Sequence, residues 1–173
     1  MVQYVTVPPT VHKHQTKAND CWYACVQMLQ TWNNAKNGGQ GTIKPTGLHT
    51  MHLHAGILGH RLTADIQNSK HFASILTENN LRRLGTAHIN FANMASVEAA
   101  LRNYGPIMVG GTFGELLWHL VKKQGHYIVI AGSDDVNNRF HVYDPWHSQP
   151  HWLAQNWVVQ NAWYDDDSQI VSA

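Results

Sequence analysis

The stretch "QTKANDCWYACVQML", Gln15 to Leu29, changes texture at its middle. Before Cys21 it is polar and rich in residues that compete with the backbone for hydrogen bonds. After it, Trp22, Cys25, Val26, Met28, Leu29 and Trp32 recur at helical spacing. The pattern predicts a loop that feeds a helix running from Cys21 to about Trp32, with Asn19 or Asp20 as its N-cap. Cys21 then sits in the first turn, where unpaired N–H groups and the helix dipole favour a thiolate, the nucleophilic form of the side chain. Cys25 lies one turn further along on the inward face, where a thiol behaves as a small hydrophobe, and it reads as structural.

Upstream, "MVQYVTVPPT" alternates as a strand over about Val2 to Val7 and is closed by its prolines. Downstream, "NNAKNGGQG" stops the helix. Leu48 to Leu62 interleaves apolar residues with histidines and is compatible with either a short helix or a loop. "HFASILT" and "ENNLRRLG" predict a helix pair or one bent helix, ending at Gly85 in a left-handed C-cap. "TAHINFA" predicts a strand, and "SVEAALRNYGP" a helix capped at Ser96 and closed by Gly105 and Pro106. Beyond it, "IMVGG", "HYIVIAGS" and "RFHVYD" are short strands, with "DDVNN" as a hairpin turn between the last two. The tail tryptophans Trp152, Trp157 and Trp163 are expected to cover the sheet. Helices in the first half and antiparallel strands in the second make an α+β fold class of two segregated layers.

The bulk numbers exclude several functions. A chain of 173 residues that is 43% hydrophobic can bury one substantial core and shows no second one, so a single domain is expected. Lysine plus arginine number 12 against 11 aspartate plus glutamate, which leaves no basic field for nucleic acid. The longest apolar runs, such as "YIVIAG", fall far short of the ~20 residues of a membrane-spanning helix, so a soluble protein with no membrane partner is expected. The amino terminus lacks the parts of a signal peptide, and export by the general secretory route is not expected. Two cysteines four residues apart are not a disulfide framework and fit free thiols.

A thiolate nucleophile needs a base oriented by a third polar group. His126, in "GHYIVIAG", begins an apolar strand after a glycine that allows close approach by another segment. Asp144, in "VYDPW", ends the next strand, and an antiparallel hairpin sets the start of one strand beside the end of the other. Acyl transfer also needs donors to a tetrahedral oxyanion: the backbone N–H of Cys21 is one, and the side-chain amide of Gln15, on the preceding loop, is a candidate for the other.

Gln15, Cys21-Trp22, Gly125-His126-Tyr127 and Asp144-Pro145 together resemble the motifs of papain-like cysteine peptidases, in the order cysteine, histidine, aspartate. Within that superfamily "GPIMVGG", "GHYIVIAG" and "HVYDPW" are most similar to bacterial double-glycine-leader peptidases and to secreted papain-like effector proteases. The similarity spans roughly Gln15 to Trp146. It implies one papain-like domain over residues 1–173, a helical layer carrying the nucleophile packed on a sheet carrying histidine and aspartate. By the same resemblance Cys21 is the nucleophile, His126 the general base and acid, Asp144 the orienting group and Gln15 the oxyanion donor. No cofactor is implied. The sequence departs from the family in three ways: "ANDCW" lacks the lysosomal Cys-Gly-Ser/Ala-Cys signature, the third member is aspartate instead of asparagine, and no transporter domain follows. The last point favours an effector or toxin, delivered by a specialised secretion system into a target cell's cytoplasm, over a leader peptidase. Its partners would be a protein or peptide substrate, cut after small residues such as Gly-Gly, and a cognate inhibitor (immunity) protein.

Other readings share these residues. A peptidoglycan amidase or a glutamine deamidase uses cysteine, histidine and a polar third residue, and an inactive papain-like binding module would keep the cleft without the chemistry. His49, His52, His54 and His60 invite a zinc reading, but their spacing matches no zinc motif, and they read as surface or interface residues, with no metal site expected.

Overall fold

The computed structural model of the protein describes residues 4–5, 12–15, 21–39, 70–85, 87–113, 125–164 and 168–173. The expected N-cap at Asn19 or Asp20, and the Leu48 to Leu62 stretch with its four histidines, lie outside these residues. Of the expected first strand, Tyr4–Val5 is described as β1.

Helix α1 spans Cys21–Lys36 and buries the apolar face read from its spacing, with Ala24 and Thr31 added to it. It runs four residues past Trp32, into the stretch expected to stop it, and ends where Gly38 takes a left-handed φ of 81°. Asparagine and alanine do not break a helix as proline or glycine does, so the stop comes at the first glycine.

Helix α2, Lys70–Glu78, holds the first half of the expected helix pair, but the second half is strand β2, Leu81–Arg83. Asn79 turns its side-chain amide back onto the Ile75 carbonyl at 2.7 Å, and Asn80 adopts a φ of 52°. Asparagine tolerates that left-handed geometry better than most residues, and it redirects the chain. Helix α3 spans Met94–Tyr104. Its N-cap is Asn93, not Ser96: the Asn93 side chain accepts the Ser96 N–H at 3.3 Å, which places Ser96 inside the first turn.

The remaining elements are β3 (Ile107–Gly111), β4 (His126–Asp134), β5 (Arg139–Tyr143), β6 (His151–Ala154), helix α4 (Gln155–Asn161) and β7 (Gln169–Ser172). They complete a 7-stranded antiparallel sheet in the order β2-β7-β3-β4-β5-β6, with β1 pairing with β4 at Gly132 and Ser133. The hairpin turn between β4 and β5 is held by Asp134, whose carboxylate accepts from Asn137 and from Arg139 at 2.9 Å.

Alternation along β4 divides the core. Tyr127, Val129 and Ala131 pack against Cys25, Val26 and Leu29 of α1, while Ile128 and Ile130 face Val97 and Leu101 of α3 and Val158 of α4. The helical layer expected on the sheet is therefore present, and a second set of helices covers the opposite face. "YIVIAG" is continuously apolar because both faces of β4 are buried.

"TAHINFA" is not a strand over its described residues. Ile89 and Phe91 are buried in alternation, but the Ile89 N–H donates to the Gln169 side-chain oxygen at 2.7 Å, and the Gln169 amide reaches back to the Ile89 carbonyl. One buried glutamine on β7 satisfies backbone groups that a neighbouring strand would otherwise take. No helix among the described residues is long and apolar enough to cross a membrane.

Trp32, near the end of α1, packs over the C-cap of α3. Gly105 holds a φ of 80°, and a Cβ there would lie 2.1 Å from Trp32 Cη2. Gly105→Ala meets a backbone penalty and overpacking together, so it should lower the unfolding free energy by about 2–4 kcal/mol, as read by urea denaturation. An unchanged midpoint would contradict the packing of Trp32 on this turn.

Candidate active site

Cys21 is the first residue of α1 and is 1% exposed, so its sulfur is presented from the helix mouth beneath the surface. Its own N–H belongs to the first turn, whose N–H groups have no partner within the helix. One turn on, the thiol of Cys25 points to the Tyr127 carbonyl at 3.3 Å. Burial, then the nearby Cys21 and Asp144, push the Cys25 thiol well above its ordinary range, as befits an inert core group.

His126 opens β4. The close approach that Gly125 permits is made by Trp163: a Cβ on Gly125 would lie 2.2 Å from the indole Cη2. Trp163 in turn donates its N–H to the Gly110 carbonyl, so the tail closes over the start of β4. Asp144 follows directly on β5. Extending the β4–β5 register, in which Val129 faces Tyr143, brings it beside the beginning of β4. There His126 Nε2 donates to Asp144 Oδ1 at 2.7 Å, and the ring is also hydrogen bonded to Cys21.

The carboxylate is held from several sides. Oδ1 also accepts the Trp146 N–H at 2.8 Å, and Oδ2 lies 3.7 Å from Nε2 of His147. Burial pushes the Asp144 carboxyl up, but the hydrogen bond and charge of His126, with the Trp146 N–H, outweigh it and hold the group below the usual carboxylate range. Burial likewise opposes charge on His126. The hydrogen bonds to Asp144 and Cys21 override it and push its pKa up to about 10. At neutral pH the ring is an imidazolium between a carboxylate and a sulfur, and such a cation is the neighbour that stabilises a thiolate.

Gln15 is buried and its backbone N–H donates to the Pro145 carbonyl at 2.8 Å. His12 Nε2 donates to the Asp144 carbonyl at 2.9 Å. The 12–15 segment is thus stitched along the residues that follow β5. Cys21, His126 and Asp144 form one connected group, and Gln15 joins it through its backbone.

Reading the sequence missed His12, Trp146, His147 and His151. Trp146 is 45% exposed and stands edge-on to the His126 ring at 6.3 Å, forming an aromatic wall beside it. The spacing Asp144, His147, His151 within "DPWHSQPH" was the available signal.

The family described as papain-like cysteine protease AvrRpt2 matches residues 1–162. The chain belongs to that family and is a papain-like cysteine protease, a hydrolase that acts on protein substrates. No curated protein sequence matches it significantly. Among solved structures it resembles xylellain, a cysteine protease from Xylella fastidiosa, with a TM-score of 0.62 at 12% identity, over 96% of this chain and 84% of that one. At that identity the likeness speaks for the papain-like fold.

The His126–Asp144 pair ties stability to pH in a definite sense. His126 is raised from 6.5 to about 10, so its contribution is complete below about pH 6.5 and is lost as pH rises towards 10. Asp144 is lowered from 3.8, so its contribution is complete above that value and is lost as pH falls. Urea denaturation of the wild type should therefore show unfolding free energy declining between pH 6.5 and 10, and Asp144→Asn should flatten that limb. Parallel profiles for the two proteins would refute the pairing.

Proposed function

We propose that this papain-like cysteine protease is an endopeptidase in which Cys21 is the nucleophile, His126 the general acid and base, Asp144 the orienting carboxylate and Gln15 a donor to the oxyanion. The observation that carries this reading is the ring of His126 between two partners, held by Asp144 at 2.7 Å and hydrogen bonded to Cys21.

The sulfur anion of Cys21 adds to the carbonyl carbon of the scissile peptide, and the carbonyl oxygen takes the negative charge. The Cys21 N–H, one of the unpaired donors of the helix mouth, and the Gln15 amide stabilise it. The C–N bond then breaks as the His126 proton passes to the leaving nitrogen, giving a thioester and a new amino terminus. Water enters, gives a proton to the now neutral imidazole and adds to the thioester carbon. The C–S bond breaks, releasing the new carboxyl terminus and restoring the thiolate–imidazolium pair. Asp144 keeps the ring in the tautomer and orientation both proton transfers need.

The similarity of "GHYIVIAG" and "HVYDPW" to double-glycine peptidases supports a cleft that accepts small residues such as Gly-Gly before the cut, where bulkier side chains would clash. A protease of this kind, delivered into another cell as an effector or toxin, threatens its producer's own proteins, and a cognate inhibitor protein that fills the cleft is the matching partner.

Cys21→Ala should lower cleavage by at least about 10⁴-fold with an unchanged circular dichroism spectrum, whereas Cys25→Ala should remain active. Exposing a bacterial lysate to wild-type and Cys21→Ala protein and sequencing the new amino termini reads both activity and specificity. A Cys21→Ala protein that still cuts would end the proposal, and bulky residues preceding the cuts would end the Gly-Gly preference.

A further inference from the structure

Asp144 serves two sides. Its Oδ1 is committed to His126 and to the Trp146 N–H, while Oδ2 faces His147 at 3.7 Å. The chain past β5 turns tightly, the His147 N–H bonding back to the Asp144 carbonyl at 3.1 Å, and returns as β6 with His151 paired to Val142. That turn brings the rings of His147 and His151 together, centroids 4.4 Å apart and planes tilted by 60°. One ligand atom each from Asp144, His147 and His151 then lies within 4.8 Å of the others. Nδ1 of His151 is buried with no partner within hydrogen-bond distance. Buried ring nitrogens normally find a partner, which makes Nδ1 of His151 the atom of this group with a contact still to make.

We propose that Asp144, His147 and His151 form a binding site for a divalent transition-metal ion, zinc by its chemistry, and that the bound ion competes with His126 for the Asp144 carboxylate and so switches the protease off.

Two imidazole nitrogens and one carboxylate oxygen are the donor set of open zinc sites that leave a fourth position to water. Calcium and magnesium require more oxygen than this cluster offers. Zinc–ligand bonds of about 2.0–2.2 Å in a tetrahedron separate the ligand atoms by about 3.4 Å, so atoms within 4.8 Å of one another must close by up to about 1.4 Å. His147, with a side chain 38% exposed, can rotate inward to close that gap. Contraction draws the carboxylate towards β6, away from the ring that Oδ1 holds. The binding claim is independent of catalysis. The switching claim rests on the roles proposed for Cys21, His126 and Asp144.

Zinc affinity is measured by competition with a chromogenic chelator on full-length Cys21→Ala protein, which removes the sulfur as an alternative ligand. His147→Ala/His151→Ala in that background should weaken the tightest site at least 10-fold, and the milder His147→Gln should weaken it in the same direction. His49→Ala/His52→Ala should leave it unchanged. Undiminished affinity in both ligand variants, or loss only in the His49/His52 control, overturns the site. With Cys21 intact, zinc should slow alkylation of Cys21 by iodoacetamide, and the concentration giving half-inhibition should rise at least 10-fold in the His147→Ala/His151→Ala protein. Weakened binding with unchanged inhibition overturns the switch. A protein that binds zinc through these residues yet cuts no substrate when stripped of zinc overturns the protease roles and leaves the site standing.

Discussion

The position of β4 decides most of this molecule. Its backbone is bonded to β3 and β1 as well as to β5, and its side chains are buried alternately under α1 and under α3 and α4. A one-residue slip of β4 against its neighbours would send Tyr127 and Val129 to the face now filled by Ile128 and Ile130, and would carry His126 away from Asp144. Packing on two faces and the chemistry at one end thus specify the same register. A residue at the mouth of such a strand inherits the rigidity of the core, as the role proposed for His126 requires.

The features legible in the sequence are those whose causes are local. Helix α1 announced itself by spacing, and β3, β4 and β5 by short apolar runs bounded by turn residues. The proximity of His126 and Asp144 followed from hairpin geometry, and a register shift between Ile130 and Gly132 of β4 brings Asp144 one residue nearer to His126 than an unbroken ladder would. The helix-mouth placement of Cys21 needed only the boundary between "KAND" and "WYACV".

The features that were not legible depend on β7. This strand, from the last residues of the chain, inserts between β2 and β3. It supplies the partner that makes Leu81–Arg83 a strand, although "LRRLG" viewed alone continues a helical pattern. Its Gln169 side chain also occupies the backbone groups of Ile89, so that an alternating segment is buried like a strand without being one. Local pattern reports burial faithfully in both cases; what it cannot report is which distant group satisfies the backbone. The same limit hid His151: its approach to Asp144 depends on β6 returning along β5, and the "WLAQNW" that follows reads equally well as tail.

An aspartate at position 144 does more for the His126 ring than a neutral amide would. A neutral amide could accept from a histidine ring and hold its orientation, but it would place no charge beside it. The carboxylate does both, and its charge works against the burial that would otherwise drive the His126 ring neutral. A full charge in a buried place must be shared among several donors to be tolerated there. The Trp146 N–H shares it on Oδ1, and His147 faces it on Oδ2. The donors that make an ionised carboxylate tenable on one side are what give its other side the makings of a ligand set. A site built around asparagine would orient the imidazole without that second side, so any metal sensitivity seated here belongs to the aspartate and to the turn that follows it.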